Sequence, residues 1–142
     1  MDGSRRVEYL AFLLAGDAYA VPIVRVAEIL KPLPIAEVPR APPNVLGVMS
    51  VRGRLVTVLD LRRRLGRAES PVGPKTRILL TDIDNEQVGL LVDEVLHVYR
   101  LSDTDIEPAS VLGGEQAGHI AGIGHSAGAL LILLDLHPIL SA

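Results

Sequence analysis

The chain contains the same stretch of sequence twice, and this duplication limits the folds that it can adopt. Residues 46–65 (LGVMSVRGRLVTVLDLRRRL) align without a gap with residues 121–140 (AGIGHSAGALLILLDLHPIL), 75 positions later. A fainter match at an offset of 69 places Val26 on Val95. A twofold repeat of roughly 70 residues is too long for a solenoid unit and is typical of two similar subdomains. The identities of the stronger match are Gly47, Gly53, Leu55, Leu59, Asp60, Leu61 and Leu65, which correspond to Gly122, Gly128, Leu130, Leu134, Asp135, Leu136 and Leu140.

The repeat predicts one domain over residues 1–142, with approximate subdomains 7–69 and 76–140 and a linker at 70–75 (SPVGPK). Units of this size are individually marginal, so we expect the two copies to share a core. Only 3% of the residues are aromatic, which makes that core aliphatic. The second copy carries about six extra residues, which we place within 103–118. The sequence leaves open whether strands cross between the copies.

Apolar stretches that are separated by turn residues predict about five short strands and one helical turn in each copy. Five strands with tight turns usually curl into a small barrel, so the predicted fold is all-β, with two tandem five-stranded β-barrels on a shared apolar core. Five prolines between Lys31 and Pro43 predict an ordered loop. Asp60 and Asp135 are placed to cap the helical turns. The clearest strand expectations are Val7–Leu14, Val24–Ile29, Gly47–Val51, Leu55–Leu59, Arg77–Ile83, Val95–Arg100, Ile120–His125 and Leu130–Leu134, with helical turns at Leu61–Leu65 and Leu136–Leu140.

The tight turn of the repeated hairpin is charged in one copy only. Residues 50–54 read SVRGR, whereas residues 125–129 read HSAGA. Residues that both copies share are expected to serve the fold, and residues that differ between the copies are candidates for a function. Arg52 is therefore the first candidate functional residue, and Gly53 supplies a backbone angle that other residues resist. A solvated charge on a hairpin tip is the simpler interpretation of Arg52, and Glu28 on a nearby strand edge is a possible partner for it.

Charge is divided unevenly between the copies. Residues 1–70 hold 11 Lys and Arg against 7 Asp and Glu, whereas residues 71–142 hold 3 against 10. The balances are +4 and −7, and they sum to the net charge of −3. Two interpretations stay open: solvated surface of both signs, or unlike faces presented to different neighbours.

Nucleic-acid binding is a weak alternative. Its basis is the cluster Arg62, Arg63, Arg64 and Arg67, because small barrels do bind nucleic acids. Against it stand the net charge of −3 and the lack of an aromatic stacking platform. Helical spacing also spreads these arginines around a short turn. We expect no nucleic-acid partner.

Catalysis and metal binding are equally weak expectations. The chain has no cysteine, which excludes thiol catalysis and cysteine-ligated metal. Its four histidines, His97, His119, His125 and His137, match no usual metal spacing, and no Ser/His/Asp arrangement can be inferred. The glycines of residues 118–128 lack the lysine and hydroxyl of a phosphate loop. We expect no enzyme activity, no cofactor and no metal.

Membrane insertion is not indicated either. The longest apolar run, residues 127–134, is far shorter than the roughly 18–20 residues of a membrane span. The first residues, MDGSRRVEY, contain no apolar segment of signal-peptide type. A cytoplasmic protein is the expectation.

Residues 47–61 (GVMSVRGRLVTVLDL) carry a resemblance to a known family, the CheW-like coupling proteins of bacterial chemotaxis. The most specific element is the arginine–glycine turn between two apolar strands, and the similarity covers about residues 7–140. The turn departs from the family pattern at Ser50, where Asn is usual, and at Thr57, where Pro is common. Supporting stretches are 19–22 (YAVP), 24–29 (VRVAEI), 88–95 (VGLLVDEV) and 122–135 (GIGHSAGALLILLD).

The resemblance implies a pair of SH3-like five-stranded β-barrels without catalytic activity. It also implies an adaptor that couples the cytoplasmic tip of chemoreceptors to the regulatory domain of a CheA-type histidine kinase, in membrane-associated receptor arrays. Adaptors of the same fold in pilus motility or other kinase pathways are the alternative. Repeated contacts through two unlike faces predict head-to-tail assembly into a ring or an array. The partner-binding positions that we expect are Val26, Glu28, Gly47, Arg52, Gly53 and Val95.

Overall fold

The structure, a computed structural model, describes residues 6–109 and 119–140, and strands make up most of it. β1 and β6 have the predicted bounds, and the other strands expected by name begin or end within two residues of prediction. The strands are β1 (Val7–Leu14), β2 (Asp17–Pro22), β3 (Val26–Leu30), β4 (Val45–Val51), β5 (Arg54–Asp60), β6 (Arg77–Ile83), β7 (Glu86–Val92), β8 (Glu94–Leu101), β9 (Ile106–Pro108), β10 (Ile120–Ser126) and β11 (Ala129–Leu134). The helices are α1 (Leu61–Arg64) and α2 (Leu136–Leu140), and 3₁₀ turns occupy Ile23–Arg25 and Asp103–Asp105.

Both helices begin at the predicted aspartate caps. The Asp60 carboxylate accepts the backbone N–H of Arg62 at 2.9 Å, and the Asp135 carboxylate accepts that of His137 at 3.1 Å. Each bond satisfies one of the N–H groups that the first turn of a helix leaves without a partner. The repeated aspartates therefore serve the fold, as their recurrence indicates.

The strands form two sheets that take strands from both copies of the repeat. The order of the six-stranded sheet is β8-β1-β2-β11-β10-β9, and that of the five-stranded sheet is β3-β6-β7-β5-β4. Four pairings join strands of different copies. Two are parallel, with Thr57 of β5 opposite Val88 of β7 and Ile132 of β11 opposite Tyr19 of β2. The other two, β1 with β8 and β3 with β6, are antiparallel. The hairpin of β1 and β2 lies in the sheet that is otherwise built from the second copy, and the hairpin of β6 and β7 lies in the sheet that is otherwise built from the first copy. The copy boundaries at 7–69 and 76–140 are therefore not sheet boundaries, and the +4/−7 division by copy is not a division between sheets.

The sixth strand, β9, corrects the expectation of five strands in each barrel. It pairs with β10, where Gly122 lies opposite Pro108. It lies within 103–118, the range in which we placed the extra residues of the second copy and of which 110–118 lie outside the described residues. Three residues that end in a proline carry too little alternation to indicate a strand.

Each sheet closes into a small SH3-like barrel at a buried glycine. In the five-stranded sheet, Ala36 and Val48 exchange backbone hydrogen bonds of 2.8 and 2.9 Å. A Cβ on Gly47 would lie 2.1 Å from the carbonyl oxygen of Ala36, and Gly47 has a φ of +154°. The repeat equivalent, Gly122, would place a Cβ 2.7 Å from the carbonyl oxygen of Glu107. Both glycines let a neighbouring backbone approach closely and complete the barrel.

Gly47→Ala is therefore expected to destabilise the protein by about 2–4 kcal/mol. The added methyl group forces Ala36 away, which breaks two backbone hydrogen bonds and strains the φ of residue 47. Urea denaturation followed by circular dichroism measures the effect. Gly73→Ala is the control, because a Cβ there meets nothing within 4 Å. Equal midpoints for the two variants would show that the close approach at Gly47 is not needed.

The apolar core has three parts, one inside each barrel and one between the sheets. Strands such as β6 and β7 are buried on both faces, so alternate residues enter different parts. The central part draws on both sheets and confirms the shared core. Its largest fully buried members are Phe12, Leu14, Leu61, Leu79, Leu90 and Ile139.

Candidate functional site

Arg52 and Gly53 are the two central residues of the turn between β4 and β5, because Val51 lies opposite Arg54. Their φ values, +49° and +84°, are those of the turn that best fits the twist of a two-residue hairpin. Ala127 and Gly128 repeat this geometry at +47° and +84°. The turn itself thus belongs to the fold, and the guanidinium of Arg52 is what distinguishes the first copy.

Arg52 forms a two-pronged ion pair with Glu28, as the sequence suggested. Arg52 Nη1 donates to Glu28 Oε2 at 3.2 Å and Nη2 donates to Oε1 at 2.5 Å. The side chain of Arg52 is 66% exposed and that of Glu28 is 36% exposed. The hydrogen bond from Arg52 is the main cause that lowers the pKa of the Glu28 carboxyl. An ion pair this exposed adds little to folding, so its chemistry stays available for recognition.

β3 presents Glu28 through a local irregularity. The register between β3 and β6 shifts between Val26 and Glu28, which leaves Ala27 unpaired on an edge strand. Such bulges re-aim side chains next to functional sites. At Glu28 this places the carboxylate against the tip of the β4–β5 hairpin.

The structure shows the surroundings of Val26 and Val95, whose binding role stays a prediction. Both are half-buried and pack against the central core, Val26 from β3 and Val95 from β8. Gly47 is buried beneath Ala36, a structural role that leaves a partner contact there as a prediction. The structure thus joins Arg52, Gly53 and Glu28 at one end of the five-stranded sheet and places Val95 in the other sheet.

The sequence analysis missed two strongly exposed apolar side chains. Val24, in the first 3₁₀ turn, is 81% exposed, and Leu55, beside the Arg52 turn, is 76% exposed. Leu130, the repeat equivalent of Leu55, is also exposed. The repeat could have revealed this pair, since each leucine lies two residues after the glycine of its turn.

The histidines are dispersed over the molecule. His97 lies beside Tyr99, His125 contacts Glu107 at 3.1 Å and His137 contacts Asp84 at 3.4 Å. Among residues 6–109 and 119–140, no group of three or more His, Cys, Asp or Glu is arranged to hold a metal ion. In the same part of the chain, no helix has the length and hydropathy needed to cross a bilayer.

The arginines of the cluster Arg62, Arg63, Arg64 and Arg67 form contacts within the chain. Arg62 pairs with Asp60, Arg63 with Glu69 and Arg67 with Asp17, whereas Arg64 donates to His119. These side chains therefore serve four different local contacts. The cluster does not act as one free basic surface.

Two exchanged barrels around a common core, with an exposed ion pair on a hairpin tip, define a protein that presents surfaces for contact. A family model described as CheW-like domain matches residues 8–142, and the chain belongs to this family of chemotaxis scaffold proteins.

Individual relatives agree with this assignment. The chain is similar to the chemotaxis protein CheW of Helicobacter pylori, with 28% identity over 98% of this chain and 84% of that one. It is 31% identical to protein FrzA of Myxococcus xanthus over 85% of this chain and 76% of that one. The crystal structure of the scaffolding protein TtCheW from Thermoanaerobacter tengcongensis superposes with a TM-score of 0.90 at 26% identity, covering 97% of this chain and 94% of the other. The predicted family and fold class are confirmed.

Proposed function

We propose that this chain is a non-enzymatic adaptor that couples the cytoplasmic tips of chemoreceptors to a CheA-type histidine kinase. The observation that carries the proposal is the exposed Arg52–Glu28 pair at the tip of the β4–β5 hairpin of a CheW-like fold. The adaptor works in the cytoplasm and is recruited to membrane-associated receptor arrays. Its partners are the regulatory domain of the kinase and the receptor tip.

The ion pair suits recognition because it fixes the guanidinium without burying it. Arg52 would otherwise sample many rotamers, and ordering them on binding costs free energy. Glu28 holds the planar donor group in one place, while the exposed face of that group keeps its capacity for carboxylate or carbonyl acceptors. Leu55 next to the turn supplies apolar area beside this charge.

Assembly is proposed to be head-to-tail. The Arg52 tip belongs to the five-stranded sheet, and the uncharged Ala127 tip belongs to the six-stranded sheet. Unlike ends favour contacts between different surfaces, and such contacts close into rings or extend as arrays. Crosslinking cysteines placed at the two tips in a reconstituted array tests this, since bonds only between like tips would mean twofold pairing.

A reconstituted phosphorylation assay tests the function. Kinase autophosphorylation is measured with receptor-containing vesicles, with and without this chain. We expect a large increase only when receptor, kinase and chain are all present. No increase with any cognate receptor set would argue against coupling, and an increase confined to a kinase of another pathway would identify an adaptor outside chemotaxis.

Arg52→Asp is expected to weaken partner binding at least tenfold while thermal stability is unchanged. The substitution places two carboxylates, at positions 52 and 28, where an attractive pair stood, and reverses the charge that the partner meets. Glu28→Arg should act in the same direction. Ala127→Asp is the matched control, because it adds a carboxylate to the equivalent turn of the other copy. Dissociation constants for kinase and receptor that stay at the wild-type value would show that Arg52 is only solvated surface.

A further inference from the structure

The turns that join β1 to β2 and β6 to β7 are equivalent in the repeat but differ in charge. At the offset of 69 residues, Ala15 and Asp17 of the first turn correspond to Asp84 and Glu86 of the second. Both turns have the same backbone form, with a φ of +49° at Ala15 and +52° at Asp84. One carboxylate in the first copy is thus matched by two in the second.

In the first copy, an arginine of the chain itself lies against this turn. The guanidinium of Arg67 donates to the hydroxyl of Tyr19 at 3.0 Å and to the carbonyl oxygen of Ala15 at 3.4 Å, and it forms an ion pair with Asp17. At the offset of 69, these three partners correspond to Val88, Asp84 and Glu86 of the second copy.

A second arginine neutralises the helix cap of the first copy. The carboxylate of Asp60 accepts from Arg62 Nε at 3.0 Å and from Arg62 Nη2 at 3.1 Å. Asp135 is the equivalent cap of the second copy. Neither arginine recurs there, because positions 137 and 142, at the offset of 75 from Arg62 and Arg67, hold His and Ala in the sequence. The second copy therefore keeps the carboxylates and lacks both arginines.

The carboxylates of the second copy have no arginine or lysine beside them. Within residues 6–109 and 119–140, no Lys or Arg nitrogen lies within 4.0 Å of the carboxylates of Asp84, Glu86 or Asp135. Asp84 has the ring of His137 at 3.4 Å, and Asp135 accepts the backbone N–H of His137 at 3.1 Å. Like charges at one place raise the electrostatic free energy, and a cation placed among them lowers it.

A cavity of about 380 Å³ is lined by these three carboxylates and His137. Ile83, Val88 and Pro138 supply apolar surface to the same cavity. Its volume is within the range of ligand-binding cavities, roughly 300–1,000 Å³. An arginine side chain combines an apolar stem with a planar cation that matches carboxylates. The lining thus offers apolar surface to the stem and acceptors to the guanidinium.

We propose that this cavity binds an arginine side chain of a partner polypeptide, whose guanidinium takes the place that Arg62 and Arg67 fill in the first copy. Free arginine fits less well, because its α-carboxylate would face three carboxylates, whereas a peptide arginine is flanked by neutral amides. The cavity and the Arg52 tip lie at the same end of the five-stranded sheet, since β5 and β7 run parallel. They share no residue, and the proposal does not depend on the adaptor function proposed above.

NMR titration of the full chain tests the proposal with acetyl-Ala-Arg-Ala-amide as the probe. We expect shifts of the amides of Glu86, Val88 and His137. The citrulline analogue, which has the shape of arginine without its charge, should bind at least tenfold more weakly. Free arginine should also bind more weakly than the peptide. Equal affinity for the citrulline peptide, equal affinity for free arginine, or no shifts at several millimolar arginine peptide would each overturn the proposal.

His137→Arg tests the equivalence of the two copies, because it places an arginine at the position of Arg62. The new guanidinium should pair with Asp135 within the chain, weaken binding of the arginine peptide at least tenfold and leave the melting temperature equal or higher. Unchanged binding, or a lower melting temperature, would overturn the proposal.

Glu86→Gln tests the carboxylate itself and should weaken peptide binding at least fivefold. Asp82→Asn is the matched control, because it removes the same charge from an exposed residue of β6 that does not line the cavity. Equal weakening by the two variants would mean that only the overall negative charge attracts the peptide. Sedimentation of the chain alone examines a competing occupant: a dimer that the arginine peptide dissociates would identify a second copy and overturn the proposal of a different partner.

Discussion

Residues 1–70 expressed alone are expected to remain unfolded, although they hold a complete copy of the repeat. β1 and β2 pair on their outer sides with β8 and β11 of the second copy, and β3 and β5 pair with β6 and β7 of that copy. The isolated copy would expose four strand edges that are paired in the full chain, together with half of the central core, and its remaining burial would not offset the conformational entropy of the chain. We expect a narrow amide proton spectrum without the dispersion of a folded β protein.

Mixing the two halves provides the control. Residues 71–142 supply the missing strands, so the equimolar mixture should recover amide dispersion and a cooperative melting transition, while each half alone should not. Dispersed amides in residues 1–70 alone would contradict the exchanged arrangement. A mixture that stays unfolded would mean that the link through residues 70–75 is needed to keep the local concentration of the halves high.

The sequence predicted local structure well because the relevant physics is local. Apolar runs that lead to turn residues gave β1 and β6 their bounds, and the recurrence of Asp60 and Asp135 identified both helix caps. Strand pairing depends on contacts between residues that are distant along the chain. Strands that are buried on both faces have no alternation of apolar and polar residues, so their sequence does not indicate which strand they pair with. The exchange of hairpins was therefore left open by the sequence.

The sequence predicted some residues of the candidate site and missed others. A difference between the copies identified Arg52, and the structure confirmed its pairing with Glu28. Leu55 and Val24 were missed because their exposure reverses what their chemistry predicts: both are apolar side chains that lie at the surface. The exposure of these two side chains depends on the neighbours that the fold supplies, so the sequence alone did not indicate it.

A buried charge network holds the two sheets together around α1. Asp60 is fully buried, and its carboxylate accepts from Arg62 Nε at 3.0 Å and from Arg62 Nη2 at 3.1 Å. Arg62 Nη1 continues to the carbonyl oxygen of Ser70 at 2.8 Å and to Asp93 at 3.1 Å, and the Asp93 carboxylate accepts the backbone N–H of Ala15 at 2.8 Å. The network thus connects the end of β5, the linker between the copies and the β1–β2 turn of the other sheet.

Asp60→Ala is therefore expected to cost about 3–5 kcal/mol of stability, because it removes a helix cap and leaves the Arg62 cation buried without its main partner. Asp135→Ala is the matched control: Asp135 caps the equivalent helix, but the residue two positions on is His137, which lies at the surface against Asp84. Loss of that cap alone should cost about 1 kcal/mol. Urea denaturation of both variants measures the difference, which isolates the buried pair. Equal losses would mean that Asp93 alone neutralises Arg62 and that Asp60 is only a cap.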